Sequence, residues 1–214
     1  MTENLSLREL EKRAYRSTFQ DGVWDIFLGI MLLNMAISVL LTTLGLSLLQ
    51  SALGLAVISI PLTAFGLAFF ILGKKYITVP RMGYVEFGPK RKSNRRKSIF
   101  VLSISAILGL LIFILTLSGK MPYELRFKFP VVLIIFALNV IIVFSLLAYF
   151  FDFGRLYIYA FLYAVPFVIG KPLQQITGYR YMFTALLFIS SSIMIIVGLV
   201  FYVRFIKKYP KKVI

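Results

Sequence analysis

The sequence predicts an all-α polytopic membrane protein with six transmembrane helices, and three observations carry that prediction. The chain is 60% hydrophobic, with a mean hydropathy of +0.90. Its apolar residues are gathered into runs close to the roughly 20 residues a helix needs to cross a hydrocarbon core. Its 24 Lys and Arg, against 8 Asp and Glu, fall between those runs or at their ends. A soluble core of this length could not bury so much apolar surface, so lipid must be the solvent for much of the chain.

The stretch Lys74–Ser98, KKYITVPRMGYVEFGPKRKSNRRKS, orients everything else. It holds nine basic residues and one acid, Glu86, and so carries half of the net charge of +16. Short loops rich in Lys and Arg stay on the cytoplasmic side of a membrane, which places this one inside.

Residues 1–21 read as a cytoplasmic amphipathic segment. Ser6 and Glu9 have the spacing of a capping box, and Leu7, Leu10 and Ala14 follow at helical spacing, so an interfacial helix on the inner leaflet is expected. The first two spans, Gly22–Leu44 and Ser51–Gly73, make up residues 22–73. Trp24 lies at the inner end of the first, at head-group depth. Asp21 and Asp25 flank it, where the positive end of the helix dipole favours carboxylates. Pro61 predicts a kink in the second span.

Within the loop of residues 74–98, Tyr76-Ile77-Thr78-Val79 and Tyr84-Val85-Glu86-Phe87 are β-prone tetrads on either side of Pro80-Arg81-Met82-Gly83. That pattern predicts a small β-hairpin, while Lys90–Ser98 is expected to be solvated and mobile. Residues 99–203 hold the other four spans, Ile99–Leu117, Pro130–Phe151, Leu156–Gly170 and Tyr181–Val203, and residues 204–214 form a basic cytoplasmic tail. Leu156–Gly170 offers only fifteen residues, about 23 Å against a core of about 30 Å. A re-entrant or interfacial segment is the alternative there. Charge parity favours six spans: with both termini inside, nineteen basic residues lie on the cytoplasmic side and five outside, whereas five spans move the tail outward.

The chain contains no Cys and no His, which removes disulfides, thiolate nucleophiles, imidazole bases and the usual zinc, copper and haem ligands. No catalytic residue, metal or cofactor is expected. The basic charge sits at span ends, where topology explains it, so nucleic acid is not an expected partner. The candidate site is the run Lys90, Arg91, Lys92, Arg95, Arg96 and Lys97, placed to engage anionic membrane lipid or a protein partner, which could be a second copy of the chain. Asp25, Asn34 and Asn139 form a possible polar membrane site, with hydrogen bonding between helices as the simpler role for both asparagines.

Three functional classes follow. The first is a non-enzymatic membrane protein acting through its basic loop. The second is a small-solute transporter or its membrane subunit, with Asn34, Asn139 and the breaks at Pro61 and Pro166 lining a cavity. The third is a lipid-modifying enzyme using the inner cluster Asp21, Asp25, Asp152 and Arg155 with Mg²⁺, which requires two of those carboxylates to converge. No span carries an ionisable residue near its centre, which removes the commonest signature of proton-coupled transport.

The segments QDGVWDIFLG (Gln20–Gly29) and YITVPRMGYVEF (Tyr76–Phe87) resemble a group of uncharacterised prokaryotic multi-pass membrane proteins that pair such an N-terminus with a Pro-Arg-x-Gly-Tyr loop. The resemblance covers about a tenth of the chain. It implies no activity, but it implies that these two inner segments act together.

Because the chain lacks Cys, single-Cys variants can be labelled without background. An impermeant maleimide should reach Cys placed at Ser47, Ser118 and Gln175 in intact cells, and reach Cys placed in the tail or in residues 74–98 only after permeabilisation. Labelling of the tail from outside overturns six spans.

Overall fold

The computed structural model describes residues 15–44, 48–82, 89–118 and 131–210. These form helices α1 (Val23–Thr43), α2 (Leu48–Leu72), a π-helical stretch (Gly73–Thr78), α3 (Val79–Met82), α4 (Pro89–Leu117), α5 (Val131–Phe151), α6 (Arg155–Thr177) and α7 (Met182–Lys208). There is no strand among the described residues. Among the described residues five helical stretches are long and apolar enough to cross a membrane: Val23–Thr43, Leu53–Met82, Val132–Phe151, Arg155–Thr177 and Met182–Lys208. The chain divides into two compact units, Met1–Phe87 with Thr184–Ile214, and Gly88–Phe183.

In the first unit α1 and α2 run antiparallel, in a register readable from successive contacts. Trp24 and Phe27 pack on Phe70 at ring distances of 4.6 and 5.1 Å. Ile30 and Met31 lie over Gly66, and Leu41 lies over Gly54. Between these apolar levels, Asn34 bonds Thr63 at 2.9 Å. The start of α1 meets the last third of α7. Gly22 sits at φ 72°, and a Cβ there would collide with the carbonyl oxygen of Gly198 and lie 2.6 Å from the Tyr202 nitrogen. A Cβ on Gly198 would lie 2.7 Å from the Ile26 nitrogen. The two backbones approach this closely because both positions lack side chains, and close backbone packing is what joins helices where lipid removes the hydrophobic drive between them. The start of α1, the end of α2 and the end of α7 therefore share one end of this unit.

The second unit centres on α5 and α6, joined by Asp152, Phe153 and Gly154. Asp152 turns the chain in the left-handed region at φ 51°, and Phe153 is buried. Phe136 packs on Phe167 at 4.7 Å and Phe144 on Tyr163 at 5.1 Å, so the pair is antiparallel.

The structure corrects four expectations. The hairpin does not form, because Tyr76 to Met82 continues α2 as π- and then α-helix. Helical spacing puts Lys74 and Thr78 on one face, where both donate to Asp21. In a strand the same two residues would lie about 13 Å apart, too far for both to reach one carboxylate, and an isolated hairpin has no sheet to complete it. The proposed second strand, Tyr84–Phe87, lies outside the described residues. Residues Lys90–Ser98 are not a loop but the first turns of α4, entered through Pro89, whose missing N–H costs nothing there. The fifth span does not stop at Gly170, since α6 runs on to Thr177 and ends at Gly178 in the left-handed conformation. Its 23 residues rise about 34 Å, enough to cross. Lys171 stays exposed, with its ammonium over the ring of Phe183 at 5.7 Å. The second span likewise extends beyond Gly73, to Met82. The first and fourth spans lie where the apolar runs place them, and α7 covers the sixth but continues past Val203 to Lys208, taking Arg204, Lys207 and Lys208 of the expected tail into the helix. The expected interfacial helix falls mostly within residues 1–14, outside the described residues.

Gly22→Ala should lower stability by about 2 kcal/mol or more, since it combines a strained backbone with a clash. Gly109→Ala, where a Cβ meets nothing within 4 Å, should be neutral or slightly stabilising. Reversible unfolding of both variants in mixed micelles checks the difference, and equal stabilities would refute the tight α1–α7 contact.

Candidate functional site

The basic run is organised by the helix it belongs to. Along α4, Arg91, Asn94, Ser98, Val101, Ser105 and Ile112 are shielded, while the residues between them are largely exposed. Steps of three, four and seven trace one stripe of a helix, the geometry of a packed seam. Most of the side chains in this seam are polar. Arg91 Nη1 pairs with Asp152 Oδ2 at 2.7 Å, and Asn94 Nδ2 donates to the Phe150 carbonyl at 3.2 Å. Ser98, 1% exposed, returns its hydroxyl to the Asn94 carbonyl. Further along, Asn139 Nδ2 on α5 donates to Ser105 Oγ at 2.9 Å. These contacts hold α4 antiparallel to α5 and fix the rotation of its basic turns.

Lys92, Arg95, Arg96 and Lys97 consequently face outward. The same helix continues at once into Ile99 and Phe100, 56% and 67% exposed. Of the six candidate cations, four are thus presented outward and Arg91 is engaged with Asp152, while the side chain of Lys90 lies outside the described residues.

Both candidate asparagines donate hydrogen bonds across helices. Asn34 Nδ2 donates to Thr63 Oγ1, and Ser38, one turn on, lies 3.4 Å from Ser59 Oγ. Asn139 joins α5 to α4 in the same manner. Each asparagine therefore bonds a hydroxyl on the neighbouring helix, Asn34 in the first unit and Asn139 in the second. Asp25 is buried in the first turn of α1, against Gly198.

Asp21 is a fully enclosed charge that reading residue by residue along the chain assigns only to a helix start. Asp21 is 0% exposed. Its Oδ1 accepts from the Val23 N–H at 3.1 Å, and its Oδ2 accepts from Lys74 Nζ at 2.6 Å and from the Thr78 hydroxyl. Lys74 also donates to the Thr18 carbonyl at 2.6 Å and lies over the ring of Phe19. This node ties the chain just before α1 to Lys74 and Thr78 of the π-helical stretch. Spacing within one segment could not reveal the partner, because 53 residues separate Asp21 from Lys74.

Among the described residues no group of three or more His, Cys, Asp or Glu is placed to hold a metal ion. Asp21 and Asp25 belong to the first unit, while Asp152, paired with Arg91, belongs to the second with Arg155. Neither a protein-family model, a curated protein nor a solved structure matches the chain.

Removing one partner of a buried ion pair strands the other charge. Asp21→Asn and Lys74→Met should each destabilise by about 3 kcal/mol, and the double variant by clearly less than the sum of the two. A double-mutant cycle on the full chain measures this, and strict additivity would refute the coupling.

Proposed function

We propose that the chain is a non-enzymatic multi-pass protein of the cell membrane whose basic α4 turns engage anionic lipid of the inner leaflet. In this reading α4 supplies the sixth span through its 19-residue apolar part, Ile99–Leu117, and both termini and residues 74–98 are cytoplasmic. The observation that carries it is the continuity of α4: four outward cations run without a break into an outward apolar surface. Each cation close to an anionic surface contributes at most about 1 kcal/mol, so four together suffice for selectivity. Two features support the topology. The start of α1 shares an end of its unit with the ends of α2 and α7, as an even number of spans requires. In the other unit, α4 lies antiparallel to α5 from Arg91 to Ser105. The transporter and enzyme readings gain no comparable observation, because Asn34, Asn139, Asp21 and Asp152 are all engaged within the fold.

The test uses the full chain in proteoliposomes with spin-labelled lipids. Phosphatidylglycerol should be enriched at the protein several-fold over phosphatidylcholine, and both salt and the combined change K92Q/R95Q/R96Q/K97Q should bring the ratio toward one. A ratio unaffected by that change overturns the lipid reading and makes a protein partner the better account of α4.

A further inference from the structure

Where α2 gives way to the π-helical stretch Gly73–Thr78, burial along the helix changes its step. Gly66 and Gly73, both buried, are two α-helical turns apart, and both face α1. A Cβ on Gly66 would press on Met31 and Ile30, and one on Gly73 would lie 3.2 Å from Val23. The next fully buried residue is not Ile77, one α-helical turn on, but Thr78, while Lys75, Tyr76, Val79 and Pro80 are exposed. The Val79 N–H donates to the Lys74 carbonyl, the i→i+5 bond that defines a π-helix. Between Gly73 and Thr78 the helix therefore holds one residue more than an α-helical turn. In an unbroken α-helix Ile77 would stand in the seam with α1, and Thr78 would be turned away from it by about 100°.

Polar contacts hold the wider turn. Thr78 donates its hydroxyl to Asp21 Oδ2, and its oxygen lies 3.4 Å from the Gly73 carbonyl oxygen. Ile77 in the same place would bring no donor to a carboxylate that is 0% exposed, and Oδ2 would keep Lys74 alone. Against these contacts stands the ordinary preference of the backbone, for which π-helix is rare and α-helix the rule. Ile77, Thr78 and Val79 are three β-branched residues in succession, and they weaken the hold of either helix on this stretch. One hydroxyl thus decides between two registers.

We propose that Gly73–Thr78 is a two-register hinge latched by Asp21. In the latched register Thr78 occupies the seam. In the other the stretch is α-helical, Ile77 takes that place, and α3 turns about the helix axis by about 100°, the angle of one residue. The body of α2 stays where it is, held by Gly66 under Ile30 and Met31 and by Phe70 against Trp24. Met82, half-buried and one turn beyond Thr78, swings outward with it. The hinge is independent of what α4 binds.

The full chain, free of Cys, tests this in detergent with a small methanethiosulfonate reagent. Ile77→Cys and Met82→Cys serve as separate probes, each read with and without Thr78→Val, which removes the hydroxyl and keeps the shape. Thr78→Val should slow modification of the Ile77→Cys protein several-fold and speed that of the Met82→Cys protein several-fold, whereas Thr78→Ser should leave both rates as they are. Deleting the exposed Tyr76 removes the extra residue, so the stretch becomes α-helical with Thr78 still at Asp21. In that background Thr78→Val should no longer move the rate at the Met82→Cys probe. Rates that rise at both positions, as local unfolding requires, rates unchanged at either, or an effect of Thr78→Val that persists after the deletion would each overturn the hinge.

Discussion

In hydrocarbon, apolar side chains have no reason to prefer one another over lipid, so the helices of this protein must be joined by other means. Close backbone approach is one: Gly22 and Gly198 bring α1 and α7 nearly into backbone contact. Hydrogen bonding across helices is the other. Asn34 with Thr63 locks α1 to α2, and Asn139 with Ser105 locks α5 to α4. Around these few fixed points many Leu, Ile and Phe side chains lie exposed, as on α2 and α4.

The same constraint governs charge. A carboxylate as enclosed as Asp21 persists only with its lone pairs met, and it collects an amide, an ammonium and a hydroxyl from three positions. This node holds the entry to α1 against the end of α2 and keeps Gly73–Thr78 helical where local β-propensity points elsewhere. Strand propensity reflects packing on a sheet, and here no sheet exists for Tyr76–Val79 to join. Arg91 and Asp152 repeat the pattern in the other unit, turning a stretch that looks like a solvated charge run into a helix with a defined outward face.

That difference matters for function. A flexible basic loop would present its charges to any direction and any partner. A helix held in register by Arg91, Asn94 and Ser98 presents four outward cations directly before the exposed Ile99 and Phe100.

Composition and run length determined that this is an all-α chain with helices of membrane-crossing length. They also determined where most of those helices lie, because hydropathy is summed over 20 residues and needs no partner. The identity of the basic residues in the candidate site was equally legible, since charge is local. What only the tertiary structure decided is how charge and polarity are used: that Arg91 is held by Asp152 while its neighbours are not, that Asp21 is met by Lys74, that α6 continues through Lys171, and that Tyr76–Met82 is helix. Each of these depends on a group remote in sequence or on another helix face. The energy that settles them is the cost of leaving a charge or a backbone group unpaired in a low dielectric, and no local window of the sequence contains that cost.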